Sequence, residues 1–280
     1  MIQVTSAGLQ VSVSGAVVYL DNWAVIELAK KDPSRRSRFI DIVHSGIDVL
    51  FSVTNAAELS GPQGRSADAI KLFLDEIGPR WFPARLDVTA VMKDELMGVS
   101  PEKACIDENF FKSYVADQMR QHAAGGGKVM EVSGTIFTLG AVLDRVGPQR
   151  ESISATSAEF DRMVKTKMSS IHEACKRDSA FLDRKFPLMP FHPGRRASFV
   201  YLNLLRVMAI EAHSLKKGDG MDFCHAVIAS AFSSFAALDT QWKRRIASLP
   251  PNRLARIYAP QELNQMITDM EVWLKDRALG

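Results

Sequence analysis

The feature that most constrains this chain is a short unit that occurs three times: an apolar run, an acid at or just past its end, and the start of a helix. Its first copy is Val17-Val18-Tyr19-Leu20-Asp21-Asn22-Trp23, bounded upstream by Ser14-Gly15. A run that short and that apolar reads as a buried strand, and Asp21 then emerges at its carboxyl end. In open α/β sheets, that end is where sites are built. The second copy is the apolar run 47–53, entered from a glycine and followed by Thr54-Asn55-Ala56-Ala57-Glu58-Leu59. Either Thr54 or Asn55 is placed to cap a helix that carries Glu58 one turn in. The third is Ser234-Phe235-Ala236-Ala237-Leu238-Asp239, with Thr240 opening the next helix.

Between these strands the periodicity is helical. Residues 24–30 and 34–43 carry one apolar face each, as do 221–231 and 260–278, and Arg256-Ile257-Tyr258 reads as a last strand. From residue 61 to 193 hardly any strand signal is found. Helices are expected there over 66–77, 87–97, 107–122, 129–145 and 156–186, with another over 195–215. Gly78-Pro79, Ser100-Pro101, Gly125-Gly126-Gly127 and Gly147-Pro148 punctuate them. The expectation is therefore an α/β fold, a three-layer α/β/α sandwich around a mostly parallel sheet, formed by 1–60 and 194–280. A large all-helical insertion occupies 61–193. Residues 1–14 alternate loosely, as an edge strand or as a lead into the first strand of the sheet.

Composition closes off some classes. At 280 residues and 46% hydrophobic, the chain fills a real core and is not disordered. A net charge of +3 permits a nucleic-acid partner without arguing for one. Cys105, Cys175 and Cys224 lie far apart with no CxxC, which gives no metal-ligand spacing and fits a reduced cytoplasm. No apolar run is long enough to span a bilayer and no basic leader opens the chain, so a soluble cytoplasmic protein without membrane contact is expected.

Four acids sit at element ends: Asp21 and Asp239 after strands, Glu58 and Asp222 in the first turns of helices. Parallel strands with right-handed crossovers bring such ends to one edge. Carboxylates gathered there raise each other's pKa values, and a hard divalent cation resolves the conflict; all-oxygen donors select Mg²⁺ or Mn²⁺ over zinc. Phosphodiester hydrolysis follows naturally, because a bound metal makes a nucleophile of water and stabilises the leaving oxygen.

Leu20-Asp21-Asn22-Trp23, the helix start from Asn55 to Glu58 after a strand, Asp222-Phe223-Cys224-His225-Ala226 opening an alanine-rich helix, and Leu238-Asp239-Thr240 before a basic helix together resemble the PIN domain. The resemblance covers about 15–60 and 215–260. It implies a parallel-sheet sandwich and Mg²⁺- or Mn²⁺-dependent cleavage of RNA, with Asp21, Glu58, Asp222 and Asp239 as the metal-binding acids. Toxin ribonucleases of toxin-antitoxin pairs are common bacterial members. In those, only a few tens of residues separate the second and third acids; here Glu58 and Asp222 are more than half the chain apart.

Other readings stay open. The acids also serve as plain helix caps or solvated residues. Asp219 is a cap or an outer-shell acid, and Asn55 and Thr240 either orient ligands or cap helices. His225, one turn past Asp222, reads first as a packed core histidine. Lys243, Arg244 and Arg245 either hold phosphates or form a solvated face. Three functions remain: an RNA endonuclease, a non-catalytic PIN-like interaction module, and a structure-specific DNA nuclease. The partners expected are nucleic acid, RNA before DNA, and an antitoxin or other protein, or a second copy of the chain, engaged through the helical segment.

Overall fold

The computed structural model describes residues 2–5, 8–13, 15–61, 64–127, 136–211, 215–216, 218–250 and 254–279. Among them, β1 (Ile2–Thr5) and β2 (Gly8–Val11) pair antiparallel as a separate ribbon, not as an edge of the main sheet. The main sheet is built from β3 (Val17–Leu20), β4 (Asp48–Ser52), β5 (Trp81–Ala84), β6 (Phe235–Ala237) and β7 (Arg256–Tyr258). Its order is β5-β4-β3-β6-β7 and every pairing is parallel.

The pleat sends alternate side chains to opposite faces. Val18, Leu20, Val49, Phe51 and Trp81 enter one core; Val17, Tyr19, Leu50 and Phe82 enter the other. With both faces covered, the β3, β4 and β5 strands are buried at every residue, which is why each reads as a nearly unbroken apolar run. Over the first face lie α1 (Asn22–Lys30), α2 (Pro33–His44), α3 (Val53–Leu59) and α4 (Ala67–Glu76). On the second face is α5 (Val88–Leu96), which leads through the short α6 (Pro101–Ala104) to α7 (Glu108–Ala124). Next come α8 (Leu139–Val146), a 3-10 turn at Gly147–Gln149 and α9 (Arg150–Arg177), which run on without a break. After α10 (Phe181–Lys185), α11 (Arg196–Glu211), α12 (Asp219–Phe232) and α13 (Thr240–Ala247) pack on the second face. Finally α14 (Leu263–Leu279) returns to the first face through Met266, Ile267 and Met270. This is the three-layer α/β/α sandwich expected.

One boundary needs correction. The segment 61–193 is not an all-helical insertion apart from the core, because Trp81–Ala84 adds an edge strand to the sheet beside β4. It escaped notice because it is four residues long and carries Pro83, a residue that lacks the N–H a central strand needs and is tolerated at an edge. The same segment supplies helices to both layers: Ile70, Phe73 and Val142 to one core, Val91, Met168 and Ile171 to the other. The Gly147-Pro148 break is a 3-10 turn inside a longer helical run. Part of the helix expected over 129–145, and the end of the one over 195–215, lie outside the described residues. Among the described residues no helix is long and apolar enough to cross a membrane.

Candidate active site

The order of the strands places a switch point at β3: β4 and β5 extend the sheet on one side, β6 and β7 on the other. The crevice outside the carboxyl ends at such a point is where doubly wound sheets bind ligands. Asp21 is the first residue past β3, and its N–H donates to the Ala237 carbonyl at 3.1 Å, so the ends of β3 and β6 are stitched side by side. Asp239 follows two residues past β6. Each acid turns straight into a helix and caps it with Oδ1: Asp21 accepts from the Asn22 N–H at 2.7 Å and Asp239 from the Trp242 N–H at 2.9 Å. The capping reading of both acids is therefore correct. It does not displace the ligand reading, because a carboxylate has a second oxygen.

Glu58 arrives on α3. The cap of that helix is Ser52, the last residue of β4, and Asn55 closes a capping box as its third residue, in place of the Thr54 or Asn55 cap expected. Asn55 is buried and has a second task. Its Nδ2 donates to Asn22 Oδ1 at 3.0 Å, and Asn22 Nδ2 in turn donates to the Glu58 carboxylate. Asn55 Oδ1 accepts from Ser52 Oγ at 2.7 Å and meets the Tyr19 hydroxyl at 3.4 Å, while that hydroxyl lies 2.5 Å from His225 Nδ1. Burial holds His225 down to about 4, so it is a neutral core histidine at physiological pH, as its position suggested. Beneath the acids runs a polar relay from Glu58 through Asn22, Asn55 and Tyr19 to His225.

The fourth acid depends on a distant contact. Gly218, with φ at +98°, is the N-cap of α12, a backbone conformation that favours glycine. Asp219 is not the cap; its Oδ2 accepts from the Lys216 N–H at 2.6 Å and closes the preceding turn. The start of α12 is instead held from outside by Asp161 of α9, which is 6% exposed and accepts from the Gly220 N–H at 2.8 Å. A Cβ on Gly220 would stand 2.9 Å from Asp161 Cα, so glycine is what lets the two helices meet there. Lys165 balances the Asp161 charge at 3.2 Å. Asp222 follows in the first turn of α12, its residue surface open to solvent on one side while its carboxyl faces the other acids of this edge.

The electrostatics tie the four positions together. Asp222 is pushed up to about 7, first by loss of solvent and then by the charges of Asp21, Asp239, Glu58 and Asp219. Asp21 is raised to about 6 by burial, with Glu58 and Asp239 adding to it against the Asn22 hydrogen bond. Burial raises Glu58 as well, and the Asn22 amide opposes it. Such mutual repulsion is what a divalent cation relieves, and an all-carboxylate donor set suits Mg²⁺ or Mn²⁺. Among the described residues, no group of three or more His, Cys, Asp or Glu side chains is gathered closely enough to hold a metal ion. Mg²⁺ keeps several waters and binds through one or two carboxylates together with substrate phosphates.

The basic helix is held by ion pairs. Lys243 is paired with Glu262, while Arg244 and Arg245 share Glu211 at 3.3 and 2.9 Å. Arg245 is also buried, 1% exposed, with its guanidinium 4.8 Å from the Trp242 ring centre. These ion pairs brace α13 against the body of the protein. Arg245 alone is satisfied in the interior, by the Trp242 ring and Glu211, while the Arg244 side chain stays 71% exposed. Thr240 is the exposed first residue of α13.

Two clefts flank the acids where α9 passes over this edge. One, about 340 Å³, is lined by Glu58 and Thr54 of α3 and by Arg150, Ser154 and Ser157. The other, about 540 Å³, is lined by Thr54, Asp87, Phe160, Met163 and Met221, the last being next to Asp222 in the chain. Asp87 is a further acid at the carboxyl edge, three residues past β5, where it caps α5 by accepting from the Ala90 N–H at 3.0 Å. Sequence reasoning missed Asp87 because it missed the β5 strand, and it missed Asn22 although that residue adjoins Asp21. Nothing local marks Asp161, a polar residue in the middle of a long amphipathic helix. No protein-family model, no curated protein and no solved structure matches this chain.

Proposed function

We propose that this protein is a divalent-cation-dependent nuclease of PIN-like design, acting as an endonuclease on RNA. The observation that carries the reading is the stitching of the β3 and β6 ends, which sets Asp21 beside Asp239's strand with Glu58 tied in through Asn22, and the rise of Asp21 to about 6 and Asp222 to about 7 through burial and the charges of the same edge fits it. Perturbed carboxylates in a cleft mark candidate functional sites. When bound, Mg²⁺ or Mn²⁺ supplies the activated water and neutralises phosphate charge. The chain's own contribution is to aim the donors. Asp21 and Asp239 are fixed by their capping bonds, Glu58 is steered by Asn22, and Asp222 is presented by a helix start pinned to α9.

A second reading has an observation of its own. Asp21 and Asp239 are already engaged as caps, and among the described residues no group of three His, Cys, Asp or Glu side chains could hold a metal ion, which favours a non-catalytic module of the same shape. Labelled RNA, single-stranded DNA and flap DNA, each incubated with Mg²⁺ or Mn²⁺, separate the possibilities. The nuclease reading expects RNA cleavage that Asp21→Asn and Asp222→Asn abolish, with unfolding temperatures unchanged or higher. Cleavage that survives both substitutions, or none by the parent chain with any substrate, ends that reading; preference for the flap transfers it to DNA.

A further inference from the structure

The helix α9 does more than pin Asp161 to the start of α12. Along its length three hollows follow one another. The cleft of about 340 Å³ beside Glu58 and the cleft of about 540 Å³ beside Met221 share Thr54, Ile153 and Ser157, so they adjoin. The larger cleft shares Met163 with a groove of about 370 Å³ that carries Arg162 and Lys167 on the outward side of the helix.

The chemistry changes along this path. At its inner end Arg150 is the one cation among the described residues lining either cleft; Glu58 and Glu151 line the same hollow, and Arg150 forms no ion pair among the described residues. At its outer end Arg162 and Lys167 are exposed and likewise without ion pairs among the described residues, whereas the neighbouring Lys165 is committed to Asp161. Between these ends the wall mixes apolar side chains with Asp87 and the hydroxyls of Thr54, Ser152, Thr156 and Ser157. Phe160 and Met163 come from α9, Leu86 and Met221 from the body, and Met163 is 57% exposed. Unpaired cations separated by a partly apolar stretch with an aromatic ring describe a surface that holds phosphates at its ends and a base in the middle. The path from Arg150 to Lys167 is about 25 Å along the helix. That is a span of several nucleotides.

We propose that α9 is a track for single-stranded nucleic acid. Arg150 takes the phosphate nearest the acids, the Phe160–Met163 wall receives an unpaired base, and Arg162 with Lys167 hold phosphates further out. The proposal rests on the nuclease reading and refines it, because a strand with unstacked bases can offer one to the Phe160–Met163 wall, whereas a duplex keeps its bases stacked inside. It places phosphate contacts away from α13, where Lys243, Arg244 and Arg245 are ion-paired and Arg245 is buried.

The test is binding of fluorescent oligonucleotides without divalent metal, measured across a range of salt concentrations, alongside cleavage in Mg²⁺ or Mn²⁺. The parent protein is expected to bind a single-stranded RNA at least tenfold more tightly than the blunt duplex of the same sequence. Combined Arg150→Gln, Arg162→Gln and Lys167→Gln should flatten the slope of log K against log salt by about 2, since each phosphate contact on a single strand contributes roughly 0.7. Phe160→Ala should weaken binding roughly tenfold while leaving that slope unchanged, as loss of one stacked base does. Lys243→Gln serves as the control and should change neither quantity. Equal affinity for duplex and single strand, or a salt slope unmoved by the triple substitution, overturns the track. If the parent cleaves RNA through Asp21 and these variants bind normally, the track alone is wrong. If the parent neither binds nor cleaves any nucleic acid, the nuclease reading falls with it.

Discussion

Two helix starts bring acids to the same edge of the sheet, and they are built in opposite ways. The start of α3, which delivers Glu58, is secured by its own neighbours: Ser52 caps it, Asn55 completes the capping box, and Asn22, from the adjoining strand end, orients the carboxylate. The start of α12, which delivers Asp222, has no side-chain cap of its own and relies on Asp161, 59 residues earlier in the chain, reaching across a glycine. The first half of the site can form as soon as β3 and β4 pair. The second half exists only when α9 has docked, so the integrity of the acid edge is coupled to the helix that also walls the clefts.

That contrast can be broken at its tightest point. Gly220→Val places side-chain carbon against the Asp161 backbone, where a Cβ already would lie at 2.9 Å, and should cost about 3 kcal/mol, the upper end for overpacking. Chemical denaturation should show this loss, and cleavage should fall with it even where the variant remains folded. Asp161→Ala is the subtler form of the same break. It leaves the buried Gly220 N–H without its acceptor, for a loss of about 2 kcal/mol. The matching change on the other side, Ser52→Ala, removes a local cap and should cost about 1 kcal/mol. If Ser52→Ala proves more damaging to activity than Asp161→Ala, the two helix starts are not held as described.

The pH dependence sharpens the comparison further. Asp21 and Asp222 have folded-state values above the ordinary 3.8, so between about pH 4 and 7 the folded state binds more protons than the unfolded chain. Stability therefore falls as pH rises through that window. For Asp21 the fall is complete near pH 6, and for Asp222 it extends to about pH 7. Calorimetric melting of the parent, Asp21→Asn and Asp222→Asn at several pH values should show each variant gaining on the parent as pH rises from 4 to 7. Added Mg²⁺ should close that gap at the upper end; an unchanged gap means no cation is drawn in. The smallest effect expected is that of Arg244→Ala. Its exposed ion pair with Glu211 contributes on the order of 0.5 kcal/mol or less, and RNA cleavage should be unaffected, since α13 does not hold the substrate.

Much of this molecule could be read from order and spacing. Asp21 and Asp239 were legible because each ends a buried apolar run, and a strand end at a switch point is a place the backbone itself determines. Glu58 followed from its distance past the second run. What stayed hidden had no local pattern. The β5 strand was masked by Pro83 and by its brevity, and with it went Asp87. That the basic run in α13 is ion-paired to Glu211 and Glu262, with Arg245 buried, had no local signal either.

By itself, then, the sequence determined that β3, β4 and β6 are buried strands and that Asp21 and Asp239 emerge just past the carboxyl ends of two of them. Those are consequences of period, hydrophobicity and helix capping, all of which act over a few residues. The tertiary structure decided which cations are free and which are neutralised, that α9 crosses the acid edge, and that a buried carboxylate 59 positions away fixes the helix bearing Asp222. Those outcomes depend on contacts between distant segments, whose geometry is set by how the helices pack and not by any one stretch of chain.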